Sequence, residues 1–467
     1  MSTNRREFLQ TTTGVGAMMA LGGTAALRAQ TTEAAPKKTL RVGFVGAGNK
    51  GSSHLGNLLR MEGVEVRAVC DIVELQCRET QEQAKRLGLR PPTAYSRGER
   101  DFERMCAEEE LDLVYNATPW QWHVPVCLAA MRHGKHAATE VPAARTIEEC
   151  WELVETSEKS GKHCSMMENV NYYPDELTIL SMVRRGLLGE LTHCEAGYLH
   201  DTRQLKMNDF GDGLWLGDDH ATRNGNLYPT HGLGPLAWYL DINRGDRLDY
   251  LVSMSSKARG LDLFAAAHLP PGHPKRERKY INGDVNTCLI RTANGVTITL
   301  THDSDSPRPY SRINHVQGTK GLVVGFPKFS VCLEVEGNAH PDWLPGENFR
   351  AKYEHPLWKE AVERHAKQPN ITKDYGPILP GAVWNYDAPG VLQQGDFIED
   401  YRLAEAHRAG LAPDFDVYDG VTWSVVAALS EKSVANRSAA VDFPDFTKGK
   451  WKTTRRCDCW GYERLIS

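Results

Sequence analysis

The sequence predicts an α/β protein with two sheets, a parallel one near the N-terminus and a large, mostly antiparallel, open one after it. Residues 40 to about 165 alternate strand-like and helix-like segments, which is the pattern of a doubly wound parallel sheet. From about residue 172, strand-like runs follow one another, as in an antiparallel sheet. A chain of 467 residues is long enough for two domains. We therefore expect a first domain over 40–170 and a second α/β domain over 171–467.

A glycine-rich turn follows the first predicted strand. Arg41–Val45 has the character of a short buried strand, and Gly46-Ala47-Gly48-Asn49-Lys50-Gly51 leads from it into a helix-like run, Ser52–Arg60. Asp71 ends the next apolar stretch, Val66–Cys70, twenty residues after the third glycine. In this G-x-G-x-x-G fingerprint the first glycine forms the turn, the second admits a pyrophosphate, and the acidic residue bonds a ribose. The helix N-terminus adds N–H donors, so the sequence predicts an NAD-binding Rossmann domain.

The later elements of this domain place further side chains at the cofactor edge. Strands are expected at Leu111–Ala117, His136–Val141 and Met166–Val170, and helices at Val124–His133 and Ile147–Ser160. Ligands of open parallel sheets bind beyond the carboxyl ends of the strands, where Trp120-Gln121-Trp122-His123, Glu140-Val141-Pro142 and Glu168-Asn169 lie. The first segment can pack against a nicotinamide, and Asn169 can donate to a ribose or a carboxamide. A purely structural role is the alternative for each segment.

The second domain is expected to be built mainly from strands. The strand-like runs are Thr192–Leu199, Tyr250–Ser255, Thr287–Arg291, Val296–Thr301 and Cys332–Val335. Two long polar stretches, Asp201–Asn226 and Asp262–Gly283, are expected to be loops, and loops of this length are often functional. Val417–Ala435 is expected to form one C-terminal helix. No element is assigned to the segment 340–400, which is rich in Pro, Gly and Trp.

The densest polar and aromatic cluster of the second half is Asn226-Leu227-Tyr228-Pro229-Thr230-His231-Gly232. A helix is expected to begin near Thr230, and Tyr228 and His231 are three residues apart, so that both can face one cavity. Histidine titrates near neutral pH and suits acid–base catalysis, so we expect His231 and Tyr228 to be catalytic. Tyr198 and Tyr310 can hydrogen-bond sugar hydroxyls, with a structural role as the alternative for both.

Net charge and cysteine usage exclude several classes of protein. The formal net charge is −5 and no basic patch is present, so we expect no nucleic-acid partner. The 11 cysteines are odd in number and scattered, which favours free thiols over a disulfide framework. Cys457-Asp458-Cys459 has no second pair to complete a metal site. A structural role is therefore favoured for these two cysteines, and no metal is expected.

The N-terminus carries a twin-arginine pattern. Asn4-Arg5-Arg6-Glu7-Phe8-Leu9 precedes a weakly polar, small-residue stretch, Thr11–Ala26, with an expected cleavage site near Ala29-Gln30. This resembles a Tat signal over residues 1–29, followed by a flexible leader over 30–39, and predicts export of the folded protein to the periplasm or the medium. No apolar run is long enough for a stable membrane span. Because an exported enzyme lacks a supply of cofactor, we expect NAD to be tightly bound and restored within each turnover.

Residues 40 to about 460 resemble the Gfo/Idh/MocA superfamily, in which a Rossmann domain precedes an α/β domain with an open sheet. Dehydrogenases of that superfamily usually carry Glu-Lys-Pro, where this chain has Glu140-Val141-Pro142, and an Asp shortly before the active-site histidine, where this chain has Tyr228. These departures, with the motifs WQWH, TEVP and GNLYPTHGLGP, resemble glycoside hydrolase family 109. The resemblance implies an α-N-acetylgalactosaminidase whose NAD is not consumed.

The resemblance also implies a set of site residues. Cofactor contacts are implied at Asn49, Lys50, Asp71, Trp120, Gln121, Trp122, His123, Glu140, Val141 and Asn169, beside Gly46, Gly48 and Gly51 of the turn. Substrate contacts are implied at Tyr198, Tyr228, Pro229, Thr230, His231 and Tyr310. The family's substrate-contacting arginine is expected near Trp215-Leu216, where this chain has none. Either Arg223 takes its place or the sugar specificity has shifted.

The implied mechanism is a redox-assisted elimination. NAD+ takes a hydride from C3 of the sugar, a base removes the acidified C2 proton, the C1–O bond breaks, water adds, and the hydride returns to C3. His231 is the expected acid–base group, and Tyr228 orients it or shares the role. The alternatives are an exported NAD(P)-dependent sugar oxidoreductase with net turnover, and a sugar-binding protein with structural NAD. Besides the glycan and the Tat machinery, a homodimer partner is expected by analogy, through the open face of the second sheet.

Overall fold

The computed structural model describes residues 38–334, 341–366 and 392–453. The strands are β1 (Leu40–Val45), β2 (Val64–Cys70), β3 (Thr93–Tyr95), β4 (Leu113–Asn116), β5 (His136–Thr139), β6 (Cys164–Met166), β7 (Leu191–Leu199), β8 (Leu248–Ser255), β9 (Asn286–Thr292), β10 (Thr297–Asp303), β11 (His315–Gly318), β12 (Gly321–Val324), β13 (Ser330–Leu333), β14 (Leu344–Pro345) and β15 (Val441–Asp442). The helices are α1 (Asn49–Leu58), α2 (Glu74–Arg86), α3 (Asp101–Glu108), α4 (His123–Arg132), α5 (Ile147–Ser160), α6 (Pro174–Arg184), α7 (Arg203–Met207), α8 (Leu216–Thr222), α9 (Thr230–Tyr239), α10 (Gly260–His268), α11 (Pro274–Glu277), α12 (Gly346–Tyr353), α13 (Pro356–Ala366), α14 (Leu392–Ala409), α15 (Val417–Ser424) and α16 (Val426–Ala435).

The first sheet has six strands in the described residues, in the order β3-β2-β1-β4-β5-β6, and every neighbouring pair is parallel. The strand order reverses between β1 and β4, which makes this the point where doubly wound sheets bind ligands. Val45 pairs with Cys70 on one side and with Asn116 on the other, so three strands end together at that edge. The prediction of a Rossmann sheet is confirmed.

The second sheet has nine strands in the described part of the chain, in the order β14-β13-β12-β11-β7-β10-β9-β8-β15. Strands β7 and β10 are parallel, and every other neighbouring pair is antiparallel. Helix α9 crosses β7 closely, because a Cβ on Gly232 would come within 2.7 Å of the Gly197 backbone nitrogen. This close crossing positions the first turn of α9, which carries His231. The predicted mostly antiparallel sheet is confirmed.

The last strand of the first sheet is shorter than predicted. β6 spans Cys164–Met166, whereas the predicted strand is Met166–Val170, so the two share only Met166. The Glu168 side chain accepts a hydrogen bond from Val170 N at 3.2 Å and starts a 3-10 turn over Asn169–Tyr172. A local side-chain bond of this kind competes with strand geometry.

Two other expectations about secondary structure are wrong. The two predicted long loops contain short helices, α7 and α8 in the first and α10 and α11 in the second, which are anchored by buried side chains such as Lys206 and Leu261. The predicted C-terminal helix is two helices that meet at Val425. Ser424 donates back to the Gly420 carbonyl oxygen at 2.6 Å, and such bonds bend helices.

The described cysteines are free thiols, as predicted, and all of them except Cys332 are buried. Cys457 and Cys459 lie outside the described residues, as do the predicted signal and most of the leader. Among the helices that the structure describes, none is both long and apolar enough to cross a membrane.

Candidate active site

The glycine-rich turn has the geometry that a dinucleotide needs. Gly46 has a φ of +86°, and a Cβ there would come within 2.6 Å of the Ala117 carbonyl oxygen. A Cβ on Gly51 would lie 1.8 Å from the Gly46 carbonyl oxygen, so Gly51 lies beneath the turn and α1 packs directly on it. By contrast, nothing lies within 4 Å of the Cβ position of Gly48. The side of the turn that a pyrophosphate would approach is therefore open.

Asp71 is fixed at the end of β2, beside this turn. Its Oδ2 accepts from Ala47 N at 2.8 Å, and its Oδ1 accepts from Val73 N at 2.8 Å. Each oxygen of an ionised carboxylate accepts more than one hydrogen bond, so Asp71 retains capacity for the hydroxyls of a ribose. The turn and Asp71 together fit NAD.

A cavity of about 410 Å³ joins the turn to the second sheet. The predicted cofactor residues that line it are Gly46, Gly48, Asn49, Lys50, Asp71, Trp120, His123, Glu140 and Val141. Of the predicted substrate residues, Tyr198 and Tyr228 line it. The structure thus brings both predicted groups to one space, which has the size of a small-ligand site.

Several predicted residues do not line this cavity. Gln121 is exposed, and Trp122 packs edge-on against Phe102 with ring centroids 6.0 Å apart. Pro229 and Thr230 are buried at the start of α9. In this structure these four residues lie outside the cavity lining.

Two predicted cofactor residues are held by a carboxylate from a distant part of the chain. Asp396, on α14, accepts from Lys50 Nζ at 2.5 Å and from Asn169 Nδ2 at 2.6 Å. Asn169 is buried and does not line the cavity, so its amide orients Asp396. Asp396 is not recognisable from the sequence, because it lies 346 residues from Lys50 in a segment without a clear pattern.

Glu140 is held ionised at the edge of the cavity by a buried histidine. His54 Nε2 lies 2.6 Å from Glu140 Oε1, and its Nδ1 lies 2.8 Å from Asp400 Oδ1. Burial alone would lower the pKa of His54, but Asp400 and Glu140 raise it to about 10. Burial likewise opposes ionisation of Glu140, but the hydrogen bond from His54 and the charge of Lys50 lower its pKa to about 2. Glu140 therefore offers a charged acceptor to a ligand hydroxyl.

His123 lines the cavity, but both nitrogens of its ring are already engaged. Nδ1 lies 2.7 Å from the Pro142 carbonyl oxygen, and Nε2 lies 2.8 Å from the Thr118 carbonyl oxygen. Burial lowers the pKa of His123, so the ring is neutral and donates to one of these oxygens. The ring ties together the turns that follow β4 and β5, and so it positions Trp120 and Val141.

The aromatic residues of the predicted substrate site form a cluster around Tyr228. The Tyr228 ring stacks on Trp120 with ring centroids 5.7 Å apart and contacts Tyr198 at 4.6 Å. Tyr310 does not line the cavity, and its ring meets Tyr198 edge-on at 6.1 Å. Trp120 lies in the turn after β4 of the first sheet, whereas Tyr198 is on β7 of the second sheet. These rings therefore close the cavity between the two sheets.

His231 lies behind Tyr228 and is paired with a carboxylate. The Tyr228 hydroxyl oxygen and His231 Nε2 are 3.5 Å apart, and His231 Nδ1 lies 2.6 Å from Glu168 Oε1. His231 does not line the cavity, although 14% of its side-chain surface is exposed. The fully buried Glu168 is predicted only at the cofactor edge, and its pairing with His231 is not recognisable from the sequence, because 63 residues separate the two.

The contacts of this group determine where its protons lie. Glu168 Oε1 accepts a hydrogen bond from Nδ1–H of His231, which leaves the lone pair of the neutral ring on Nε2, toward Tyr228. Burial raises the pKa of Tyr228 well above 10, and nearby Tyr198 and Glu140 add to the shift. Tyr228 therefore keeps its proton and donates, His231 can accept, and Glu168 stabilises the imidazolium that results.

Arg223 does not replace the arginine that is expected near Trp215-Leu216. The Arg223 guanidinium donates to Asp219 Oδ2 at 3.3 Å, pairs with Glu431, and does not line the cavity. Trp215 and Leu216 do line it. The interpretation of Arg223 as the substitute is therefore wrong in this structure, because two carboxylates hold it away from the cavity.

A dinucleotide turn and Tyr228, which is bonded to the His231–Glu168 pair, line one cavity. This arrangement defines an NAD-binding protein with the architecture of the two-domain oxidoreductases. Two solved structures share this fold. An oxidoreductase domain protein from Kribbella flavida has a TM-score of 0.65 and 18% identity, and covers 87% of this chain and 100% of its own. A levoglucosan dehydrogenase in complex with NADH and L-sorbose has a TM-score of 0.62 and 17% identity, with coverage of 87% and 100%.

Sequence comparison identifies the family. Residues 40–168 match the oxidoreductase family, NAD-binding Rossmann fold, and residues 172–375 and 392–453 match the glycosyl hydrolase 109, C-terminal domain. A glycosyl hydrolase family 109 protein from Shewanella pealeana is 42% identical over 471 residues, which covers 97% of this chain and 98% of the relative. Glycosyl hydrolase family 109 protein 1 from Shewanella sp. strain MR-4 is 44% identical over 422 residues, with coverage of 90% and 87%. The chain belongs to glycosyl hydrolase family 109.

Proposed function

We propose that this protein is an exported glycosidase that removes terminal α-N-acetylgalactosamine, or a related sugar, from a glycan, with NAD that stays bound and is regenerated in each turnover. The observation that carries the proposal is the Glu168–His231–Tyr228 group, of which Tyr228 lines the cavity that the dinucleotide turn also lines. A cofactor face and an acid–base face thus meet at one sugar-sized space. These are the two functions that a redox-assisted elimination requires.

The chemistry divides between the cofactor and the Glu168–His231–Tyr228 group. NAD, when bound, supplies a hydride acceptor at C3 of the sugar and later returns the hydride. A ketone at C3 acidifies the C2 proton, and loss of that proton expels the substituent on C1. Addition of water at C1 and return of a proton to C2 complete a net hydrolysis. His231 is the acid–base group, which acts through Nε2 and the Tyr228 hydroxyl, and Glu168 stabilises its charged form.

Retention of NAD is supported by the fixed charges around the turn. Lys50 is held by Asp396, and Glu140 is held ionised by His54. Positioning must be tight, because a ketone that left the site would leave reduced cofactor behind. Val141 is buried where the superfamily dehydrogenases carry a lysine, and it has no group to assist net oxidation. These features favour internal recycling over net sugar oxidation.

Export and self-association are further parts of the proposal. The twin-arginine pattern around Arg5 and Arg6 supports Tat export to the periplasm or the medium, since that route carries folded proteins. Met254 on β8 and Leu289 on β9 are 67% and 54% exposed, which supports a homodimer through this face of the second sheet. Cell fractionation of the wild type and of a variant that lacks Arg5 and Arg6 tests export. Sedimentation of Met254→Lys tests the homodimer.

Release of p-nitrophenol from p-nitrophenyl α-N-acetylgalactosaminide by the purified mature protein, without added NAD, tests the catalytic proposal. We expect release by the wild type and loss of release in His231→Ala. His193→Ala is the matched control, because His193 lies on β7 outside the cavity and bonds Thr297. In deuterated water, the released sugar should carry deuterium at C2.

Other outcomes of the same assay would overturn the proposal. Steady NADH formation from free sugars without p-nitrophenol release would indicate a sugar oxidoreductase with net turnover. Saccharide binding with neither reaction would indicate a sugar-binding protein that keeps NAD as a structural ligand. Release without deuterium at C2 would count against loss of the C2 proton to an exchangeable base and favour a direct displacement.

A further inference from the structure

The cavity continues past Tyr198 along a polar wall that the proposed acid–base group does not use. The residues of this wall are Thr202, Lys206, His220, His302 and Ser304. His302 on β10 pairs with Tyr198 on β7 in the parallel register, and their ring centroids are 6.5 Å apart. The His220 ring on α8 follows at 6.1 Å from His302. A row of rings therefore leads from Tyr228 through Tyr198 to the two histidines.

The charged groups of the polar wall neutralise each other. Lys206 Nζ donates to Asp305 Oδ1 at 2.5 Å and to the Ser304 carbonyl and hydroxyl oxygens at 2.9 and 2.8 Å. These three bonds use the three protons of the ammonium group. Asp305 Oδ2 also lies 2.9 Å from His220 Nδ1. The ion pair therefore presents no uncompensated charge to a ligand.

Both histidines of the wall are neutral. Burial lowers the pKa of His302 to about 3, with help from nearby His220, and burial lowers the pKa of His220 although Asp305 opposes the shift. Because the neutral His220 ring donates its Nδ1–H to Asp305, Nε2 of that ring carries the lone pair. His302 is only 1% exposed, and its Nδ1 has no hydrogen-bond partner among the described residues. A buried imidazole nitrogen without a partner carries a free-energy cost, which a hydrogen bond to a ligand or to water offsets.

We propose that His220 and His302 form a second binding subsite in this cavity, for neutral hydroxyl or amide groups of a saccharide. The inference rests on the proposed glycosidase function and specifies how its substrate is bound. The hydroxyl or amide group that binds here can belong to either of two sugars. It is a ring substituent of the sugar that is cleaved, or a hydroxyl of the next sugar of the glycan. A carboxylate or sulfate substituent is disfavoured, because Asp305 already neutralises Lys206.

Two variants of His302 test the subsite. His302→Phe keeps a ring and removes both nitrogens, whereas His302→Gln keeps a hydrogen-bonding group. His193→Phe is the matched control outside the cavity. The substrates are p-nitrophenyl α-N-acetylgalactosaminide and a disaccharide with a terminal α-N-acetylgalactosamine. We expect His302→Phe to lower kcat/KM at least tenfold for one or both substrates, His302→Gln to recover part of the loss, and His193→Phe to behave as the wild type.

The pattern of loss distinguishes the two sugars. Loss on both substrates assigns the subsite to the cleaved sugar, and loss on the disaccharide alone assigns it to the next sugar. Equal kcat/KM for wild type and His302→Phe on both substrates overturns the subsite and leaves the glycosidase proposal intact. His220→Gln, in which Asp305 keeps Lys206 as its partner, serves the same test if His302→Phe does not fold.

A binding measurement judges the subsite even if the wild type hydrolyses neither substrate. Trp120 and Trp215 line the cavity, so their emission reports occupancy of the NAD-loaded protein by N-acetylgalactosamine or by the disaccharide. We expect at least tenfold weaker binding of one of them by His302→Phe. No binding by the wild type, or identical curves for wild type and His302→Phe, would overturn the subsite.

Discussion

Replacement of Glu168 by glutamine should impair catalysis and leave NAD binding intact. In the wild type, the fully buried Glu168 lies 2.6 Å from His231 Nδ1, the length of a charge-assisted hydrogen bond. Glutamine removes the charge that stabilises the imidazolium. Its amide nitrogen can also turn a donor toward Nδ1, which moves the ring proton to Nε2 and removes the acceptor that faces Tyr228.

The size of the effect follows from these two losses. A hydrogen bond to a charged group contributes about 1.5–3 kcal/mol, and about 1.4 kcal/mol corresponds to a tenfold change in rate. Loss of the bond alone should therefore lower kcat about 10- to 100-fold. The wrong tautomer adds to this, since the same amide-for-carboxylate change in a Ser-His-Asp triad lowers kcat by about 10⁴. We expect a loss of about 10² to 10⁴ for Glu168→Gln.

The assay is p-nitrophenol release at saturating substrate, with NAD affinity measured by tryptophan emission. Glu158→Gln is the control, because Glu158 pairs with Lys448 and Lys450 at the surface, and this variant should keep the wild-type kcat. The reasoning is refuted if folded, NAD-bound Glu168→Gln retains kcat within threefold of the wild type.

Gly46→Ala should abolish NAD binding, because the φ of +86° and a Cβ 2.6 Å from a carbonyl oxygen cost about 3 kcal/mol or more; unchanged affinity in a titration with NAD would show that this turn is not the cofactor site. Gly232→Ala should lower kcat more than tenfold and also lower the Tm, because its Cβ would meet the Gly197 nitrogen at 2.7 Å and displace α9; a wild-type kcat would contradict this. Acid should destabilise the fold, since burial, with a neighbouring histidine, lowers the pKa of His136 to about 4 and that of His407 to about 3. Both values lie below the unfolded value of about 6.5, so the unfolded chain binds more protons, and the stabilisation that is complete above pH 6.5 is lost as the pH falls toward 4. Urea unfolding should show at least about 1 kcal/mol less stability at pH 5 than at pH 7, after allowance for solvent screening, and a smaller difference in His136→Phe; equal free energies at the two pH values would exclude this role.

The parts of the site that are predictable from the sequence are those encoded locally. Gly46, Gly51 and Asp71 lie in one strand–turn–helix–strand unit, so their spacing alone predicts the cofactor turn. Tyr228 and His231 are likewise only three residues apart, on either side of the start of α9, so their proximity is a local feature of the sequence.

The parts that escape prediction depend on long-range packing. Glu168 meets His231 across 63 residues, and Asp396 meets Lys50 across 346, so no periodicity or spacing encodes either contact. The short helix that carries Lys206 is predicted to be a loop, because the burial of Lys206 depends on its ion pair with Asp305, 99 residues away. Tertiary contacts of this kind override the local preference of a polar segment.

The distribution of proton-carrying groups suggests how an architecture shared with dehydrogenases can support hydrolysis. On the cofactor face of the described cavity, Glu140 stays ionised with a pKa of about 2, the nitrogens of His123 are both engaged, and Val141 has no proton to move. In the proposed mechanism, proton transfer falls to Tyr228 and His231 on the other face. A sugar bound between the faces would meet the hydride acceptor on one side and the acid–base group on the other. Oxidation at C3 and loss of the C2 proton can then occur in sequence on one bound sugar, which is what elimination needs and simple oxidation does not.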